Sequence, residues 1–143
     1  MNSKGSVAAV LVGAIVVYAV GYVIFDTIFA SFYAANAGSA TGVSREPQIL
    51  WAVLLGSLAY AALITYAMNR GGGSVSLASG AQTGAIVGFL LWATVDLVFY
   101  GSTNINGLTV AMVDPFLEFV RGGISGAVIA LVLGKMSGSS SSA

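Results

Sequence analysis

Four stretches of this chain, residues 7–33, 48–68, 78–100 and 108–134, are almost wholly apolar. Each reaches the ~20 residues that a helix needs to cross a hydrocarbon core of ~30 Å. The segments between them are rich in helix breakers: "NAGSATGVSREP", "NRGGGS" and "GSTNING". In lipid each run must satisfy its own backbone hydrogen bonds, which leaves helices or a closed barrel. The runs are too long for barrel strands and lack their apolar–polar alternation. The expected fold class is therefore all-α, a polytopic membrane protein with a four-transmembrane-helix bundle. The bundle forms one domain over residues 1–136, followed by a disordered Ser/Gly tail, "SGSSSSA", over residues 137–143.

Details at the ends of the runs refine this reading. Pro47, just before the second run, suits the first turn of a helix, where its missing N–H is not needed. The "GGG" at residues 71–73 lacks the lysine and strand of a phosphate loop and reads as a turn. "AANA" at residues 34–37 resembles a leader cleavage site. The apolar run before it is far longer than a leader's core of roughly 7–15 residues, so it reads as a retained helix.

Composition agrees with a membrane and narrows the chemistry. Only 7% of residues are charged and mean hydropathy is +0.94, whereas a soluble domain carries about 25% charge. The chain has no Cys and no His. That excludes disulfides, Cys/His zinc sites, His- or Cys-ligated haem and a histidine-based hydrolase. No cofactor is expected, and no Lys/Arg cluster exists to hold nucleic acid. Lys4, Arg70 and Lys135 fall on one side of the bundle, against Arg45 with its neighbour Glu46 on the other. The positive-inside rule then places both termini in the cytoplasm, and the expected location is integral to an inner (cytoplasmic) membrane.

Few charges remain, and they are oddly placed. "MVDPFLEFVRGG", residues 112–123, sets Asp114, Glu118 and Arg121 inside the fourth run. Spacings of four and three put all three on one helical face. Asp26 lies toward the same end of the first helix, and Asp96 toward that end of the third. Tyr18, Tyr22 and Asp26 form one four-residue stripe, and Trp92, Asp96 and Tyr100 another. Both stripes are expected to face the bundle interior, because a carboxylate in lipid costs about 2.5–3.5 kcal/mol. The candidate ligand- or proton-binding set is thus Asp26, Asp96, Asp114, Glu118 and Arg121, with Tyr22 and Tyr100 as donors. Four acids against one Arg leave a formal −3, to be relieved by protons, water or a bound cation. A competing reading makes Asp114–Pro115 an N-cap and first-turn proline at the interface, with residues 108–113 an outer loop or partly re-entrant piece, Asp26 and Asp96 at headgroup depth, and Glu118 and Arg121 a simple i,i+3 pair.

The motifs "FDTIFASFY", "WATVDLVFY" and "TVAMVDPFLEF" resemble the small bacterial four-helix membrane proteins catalogued as domain of unknown function 2177. The similarity runs over most of the chain, and the resemblance implies a four-helix fold. It makes Asp26, Asp96 and Asp114 the matching positions, with Phe32–Tyr33 as the ending of the first helix. Pro115, Glu118 and Arg121 lie outside that pattern. The family carries no assigned activity.

Two functions follow as expectations. One is proton- or cation-linked transport, or small-ligand binding, at an outward-facing acid cluster. The four-residue repeats Gly80, Gly84, Gly88 and Gly122, Gly126 are expected to let helices pack closely. Four helices are few for a transporter, so a homodimer is expected, with Gly84/Gly88 or Gly122/Gly126 as candidate contact faces. The other is an accessory subunit packed in a larger membrane complex, its charges fixing helix register. An enzyme, with two carboxylates as acid and base, is the weakest reading.

Overall fold

The computed structural model describes residues 3–71 and 75–138. These residues form α1 (Ser3–Gly21), a π-helical segment (Tyr22–Ile28), α2 (Ala30–Ala35), α3 (Leu50–Arg70), α4 (Leu77–Ser102) and α5 (Leu108–Gly138). Four helices are long and apolar enough to cross a membrane: α1 with its π continuation, α3, α4 and α5. The all-helical, four-span bundle expected from the sequence is the observed fold. An even number of spans brings residues 3 and 138 to one end, the terminal end. Residues 36–49 and 103–107 occupy the other, the loop end.

Three boundaries differ from expectation. The first run is not one continuous helix. The Phe29 N–H donates to the Ile24 carbonyl five residues back, at 2.8 Å, the wider spacing of a π-helix. Ile49 has φ −80° and ψ 87°, outside the helical range, so α3 begins at Leu50 and Pro47 stands ahead of it. At the far end α5 continues through Ser137 and Gly138, so the first two residues of the expected tail are helical. The Ser137 hydroxyl donates to the Leu133 carbonyl at 2.9 Å, which occupies it within the last turns. The rest of that tail, and residues 72 and 73 of the glycine turn, lie outside the described residues. By contrast, α4 starts on a reciprocal cap. The Ser79 N–H donates to Ser76 Oγ at 3.1 Å and the Ser76 N–H to Ser79 Oγ at 2.9 Å, satisfying two otherwise orphaned donors.

Small residues decide how the spans meet. Gly80, Gly84 and Gly88 of α4 face Gly122, Gly126 and Ala130 of α5. A Cβ added at Gly84 would overlap the Gly122 carbonyl, and one at Gly88 the Glu118 carbonyl. The two backbones therefore touch, as closely packed membrane helices do. The glycines thus serve the close helix packing expected of their spacing, and because they are consumed inside the bundle any homodimer has to use other surfaces. On α1 the buried positions recur every four residues, Gly5, Ala9, Gly13, Val17 and Gly21, and pack against α3 and α5. An apolar core of Ala9, Ala61, Ile64, Ile129 and Leu133 fills the terminal half. Large apolar residues such as Ile15, Trp51, Leu90 and Phe116 point outward, toward lipid, which is no less apolar than they are.

Gly84→Val should force α4 from α5 and lower unfolding free energy in mild detergent by at least about 2 kcal/mol, the usual scale of overpacking. Gly56→Ala should leave stability unchanged or raise it, because no atom lies within 4 Å of a Cβ built there. Equal effects of the two changes would contradict the packing.

Candidate functional site

The charged residues assemble at the loop end because two helical registers, those of α4 and α5, converge there. On α4 the four-residue stripe of Gly80, Gly84 and Gly88 continues to Trp92 and Asp96. The face that packs on α5 therefore delivers a carboxyl group one turn beyond the indole. On α5, Asp114 and Glu118 share a face with the glycines below them. Asp96, Asp114 and Glu118 are only 3%, 6% and 1% exposed. The N-cap reading of Asp114 is overturned: α5 starts at Leu108 and carries Pro115 in its interior, two turns from that start. Pro115 is the eighth residue of the helix, so its missing N–H leaves the Ala111 carbonyl without the donor four residues on.

Arg121 is held from several sides. Its Nη1 donates to Glu118 Oε1 at 2.7 Å and its Nε to the Val17 carbonyl at 2.9 Å. The rings of Phe25 and Tyr60 each have their centroids 5.5 Å from the guanidinium carbon, within cation–π range. Gly21 makes the room, since a Cβ there would stand 2.9 Å from that carbon. The i,i+3 pair expected between Glu118 and Arg121 is thus present, and α1 adds a backbone ligand to it.

Asp114 is met by a donor from outside the spans. The Tyr33 hydroxyl, on α2, donates to Asp114 Oδ1. Burial first, then this hydrogen bond and the neighbouring carboxylates, push the Tyr33 phenol well above its ordinary value, so it stays a donor. The loops above are tied together. The Gly38 N–H donates to the Ile105 carbonyl at 2.8 Å, the Ala40 N–H to Asn104 at 2.9 Å, and the Gly107 N–H to Asn36 at 3.1 Å. Gly38 is needed there because any side chain would run into the Asn104 carbonyl.

Beneath these loops lies a cavity of about 230 Å³, walled by Tyr33, Trp92, Asp96, Asn106, Asp114 and Glu118, among others. Asp96 and Asp114 line this space together, yet Asp96 Oδ2 is buried without a hydrogen-bond partner. Glu118 Oε2 and Trp92 Nε1 are also buried and unpartnered. The Tyr60 hydroxyl lies beside Glu118 but off hydrogen-bond geometry. Toward the terminal end the cavity is closed by the apolar core around Ile64 and Ile129. Among the described residues, no three acids are disposed to hold a metal ion.

The remaining expected members stand apart. Tyr22 is 57% and Tyr100 45% exposed, so neither stripe faces inward along its length. The inward face of α1 is the Gly13–Val17–Gly21 row, one residue away from Tyr18 and Tyr22. On α4, Tyr100 lies beyond the packed part of the helix. Asp26 is exposed and lines a neighbouring cavity of about 220 Å³ with Tyr18, Gln48 and Ser57. Phe25 and Arg121 border both cavities. The buried cluster therefore holds three acids rather than four, and −3 + 1 gives a formal −2. Sequence reasoning left out Tyr33, Trp92, Tyr60 and Asn106 as site residues. The four-residue step from Asp96 back to Trp92 was the available signal for one of them. No family model, no characterised protein and no solved structure matches this chain.

Arg121→Leu leaves Glu118 buried without its cation and should destabilise the protein by about 3–5 kcal/mol. Adding Glu118→Gln to that variant should restore most of the loss, as read from unfolding in detergent. An unchanged double variant would show that the pair does not act as one unit.

Proposed function

We propose that the protein binds a small ligand in exchange for protons at the buried carboxyl cluster, in a bacterial inner membrane with both termini cytoplasmic. One observation carries the reading. Three buried carboxyls share a cavity with a single guanidinium, and two of their oxygens have no partner. Carboxylates this close in a poorly solvated place cannot all keep their charge, so they hold protons or a cation. A site that trades one for the other couples ligand binding to proton movement.

The orientation rests on Lys4, Arg70 and Lys135 at the terminal end, against Arg45 at the loop end. The cavity then faces away from the cytoplasm, and passage across the membrane requires the apolar core at Ile64 and Ile129 to open. Tyr33 and Asp114, two positions on which the family resemblance rests, are partners in one hydrogen bond.

The test is carboxyl-stretch infrared spectroscopy of the purified full chain across pH. A carboxylic-acid band should persist at neutral pH and vanish in Asp96→Asn. If every carboxyl titrates near the ordinary value of about 4, the cluster is open to water and the exchange reading is wrong. The accessory-subunit reading then takes its place.

A further inference from the structure

The cavity walls also specify what kind of molecule would fit, granted the exchange reading above. Their unsatisfied groups are two acceptors, Asp96 Oδ2 and Glu118 Oε2, and one donor, Trp92 Nε1. The formal charge of −2 favours a cation, and the aromatic residues Phe25, Tyr33 and Trp92 line the same space. Aromatic walls beside carboxylates are a setting that attracts ammonium groups. Buried acceptors left unpaired are costly, so the cation has to bring N–H donors. A quaternary ammonium has none, whereas a primary one has three. The indole N–H asks in turn for an oxygen on the ligand. At about 230 Å³ the space falls below the ~300–1,000 Å³ of drug-sized pockets, and at ~30 Å³ per water-sized group it holds a ligand of on the order of eight heavy atoms or fewer.

We propose that this cavity takes a small primary ammonium ion bearing a hydroxyl or carbonyl oxygen, of the 2-hydroxyethylammonium type. The ammonium donates to Asp96 and Glu118, and its oxygen accepts from Trp92. The ammonium with an oxygen two carbons away exists in a free amino alcohol and, with that oxygen esterified to phosphate, in the headgroup of an ethanolamine phospholipid, where a phosphate oxygen would accept from Trp92.

Binding displaces a proton, because the ammonium supplies the charge that the proton had supplied. The titratable and charged groups around that proton are Asp96 from α4, Asp114, Glu118 and Arg121 from α5, Tyr33 from α2 and Tyr60 from α3. From the first span come the Val17 carbonyl and, across Arg121, Asp26.

Calorimetry on the full chain in phosphatidylcholine nanodiscs, in two buffers of different ionisation enthalpy, tests this with three probes. 2-Hydroxyethylammonium should bind with Kd below about 1 mM and release a proton. Ethylammonium should bind about tenfold more weakly, and tetramethylammonium not at all. Asp96→Asn should weaken the first probe at least tenfold. Trp92→Phe should remove the preference for the hydroxyl while ethylammonium binding persists, a result that also shows the variant is folded. If the free probe binds only when nanodiscs lack phosphatidylethanolamine, the lipid headgroup is the resident source. Binding unaffected by that lipid marks the free amine. Tetramethylammonium binding as tightly as 2-hydroxyethylammonium overturns the proposal. So does an absence of binding by all probes and by the lipid while the neutral-pH carboxylic-acid band is present, and the exchange reading would survive that outcome.

Discussion

The contact between α4 and α5 is the constraint on which the rest of the molecule depends. With glycine on both sides at Gly84 and Gly122, the helices meet backbone to backbone, and dispersion replaces the hydrophobic drive that lipid cannot supply. The four-residue periodicity that produces this contact does not stop at Gly88. It presents Trp92 and Asp96 to the same partner helix, where Asp114 and Glu118 already lie. Close approach and the meeting of carboxyls thus arise from one repeat.

Such a meeting has to be held against repulsion. Arg121 does so with a salt bridge to Glu118, a hydrogen bond to the Val17 backbone and two aromatic faces. These bonds tie α1 and α3 to α5 at the same depth. Charge balance and helix assembly are therefore not separable here. Tyr33 plays a parallel part for Asp114 from outside the spans, and the joined loops keep α2 over the cavity.

Much of this was legible in the sequence because it depends on length and period. Four spans, the clustering of charges at one end, the Glu118–Arg121 pair and glycine-mediated packing all follow from run length and spacing. What escaped depends on where a helix faces. The Tyr18–Tyr22–Asp26 row and the Gly13–Val17–Gly21 row have the same period, and only packing against α5 decides which turns inward. Asp114–Pro115 has the chemistry of a helix start, but the turn from Leu108 to Val113 is helical and buries the carboxyl instead. Partners from distant parts of the chain, such as Val17 for Arg121 and Tyr33 for Asp114, leave no local signature.

The π-helical segment gives chain length a role of its own. Its five-residue spacing amounts to one residue more than an α-helix would use over the same rise, and one residue is about 100° of rotation. The angular position of α2, and with it the side of the bundle on which Tyr33 emerges, is therefore set by how many residues lie between Gly21 and Phe29 together with the break at Phe29, where φ is −102° and ψ 8°. Losing one would return the segment to α-helical phase and swing the phenol off Asp114 with every side chain in the cluster intact. For this site, spacing along the first helix is as much a part of the chemistry as the acids themselves.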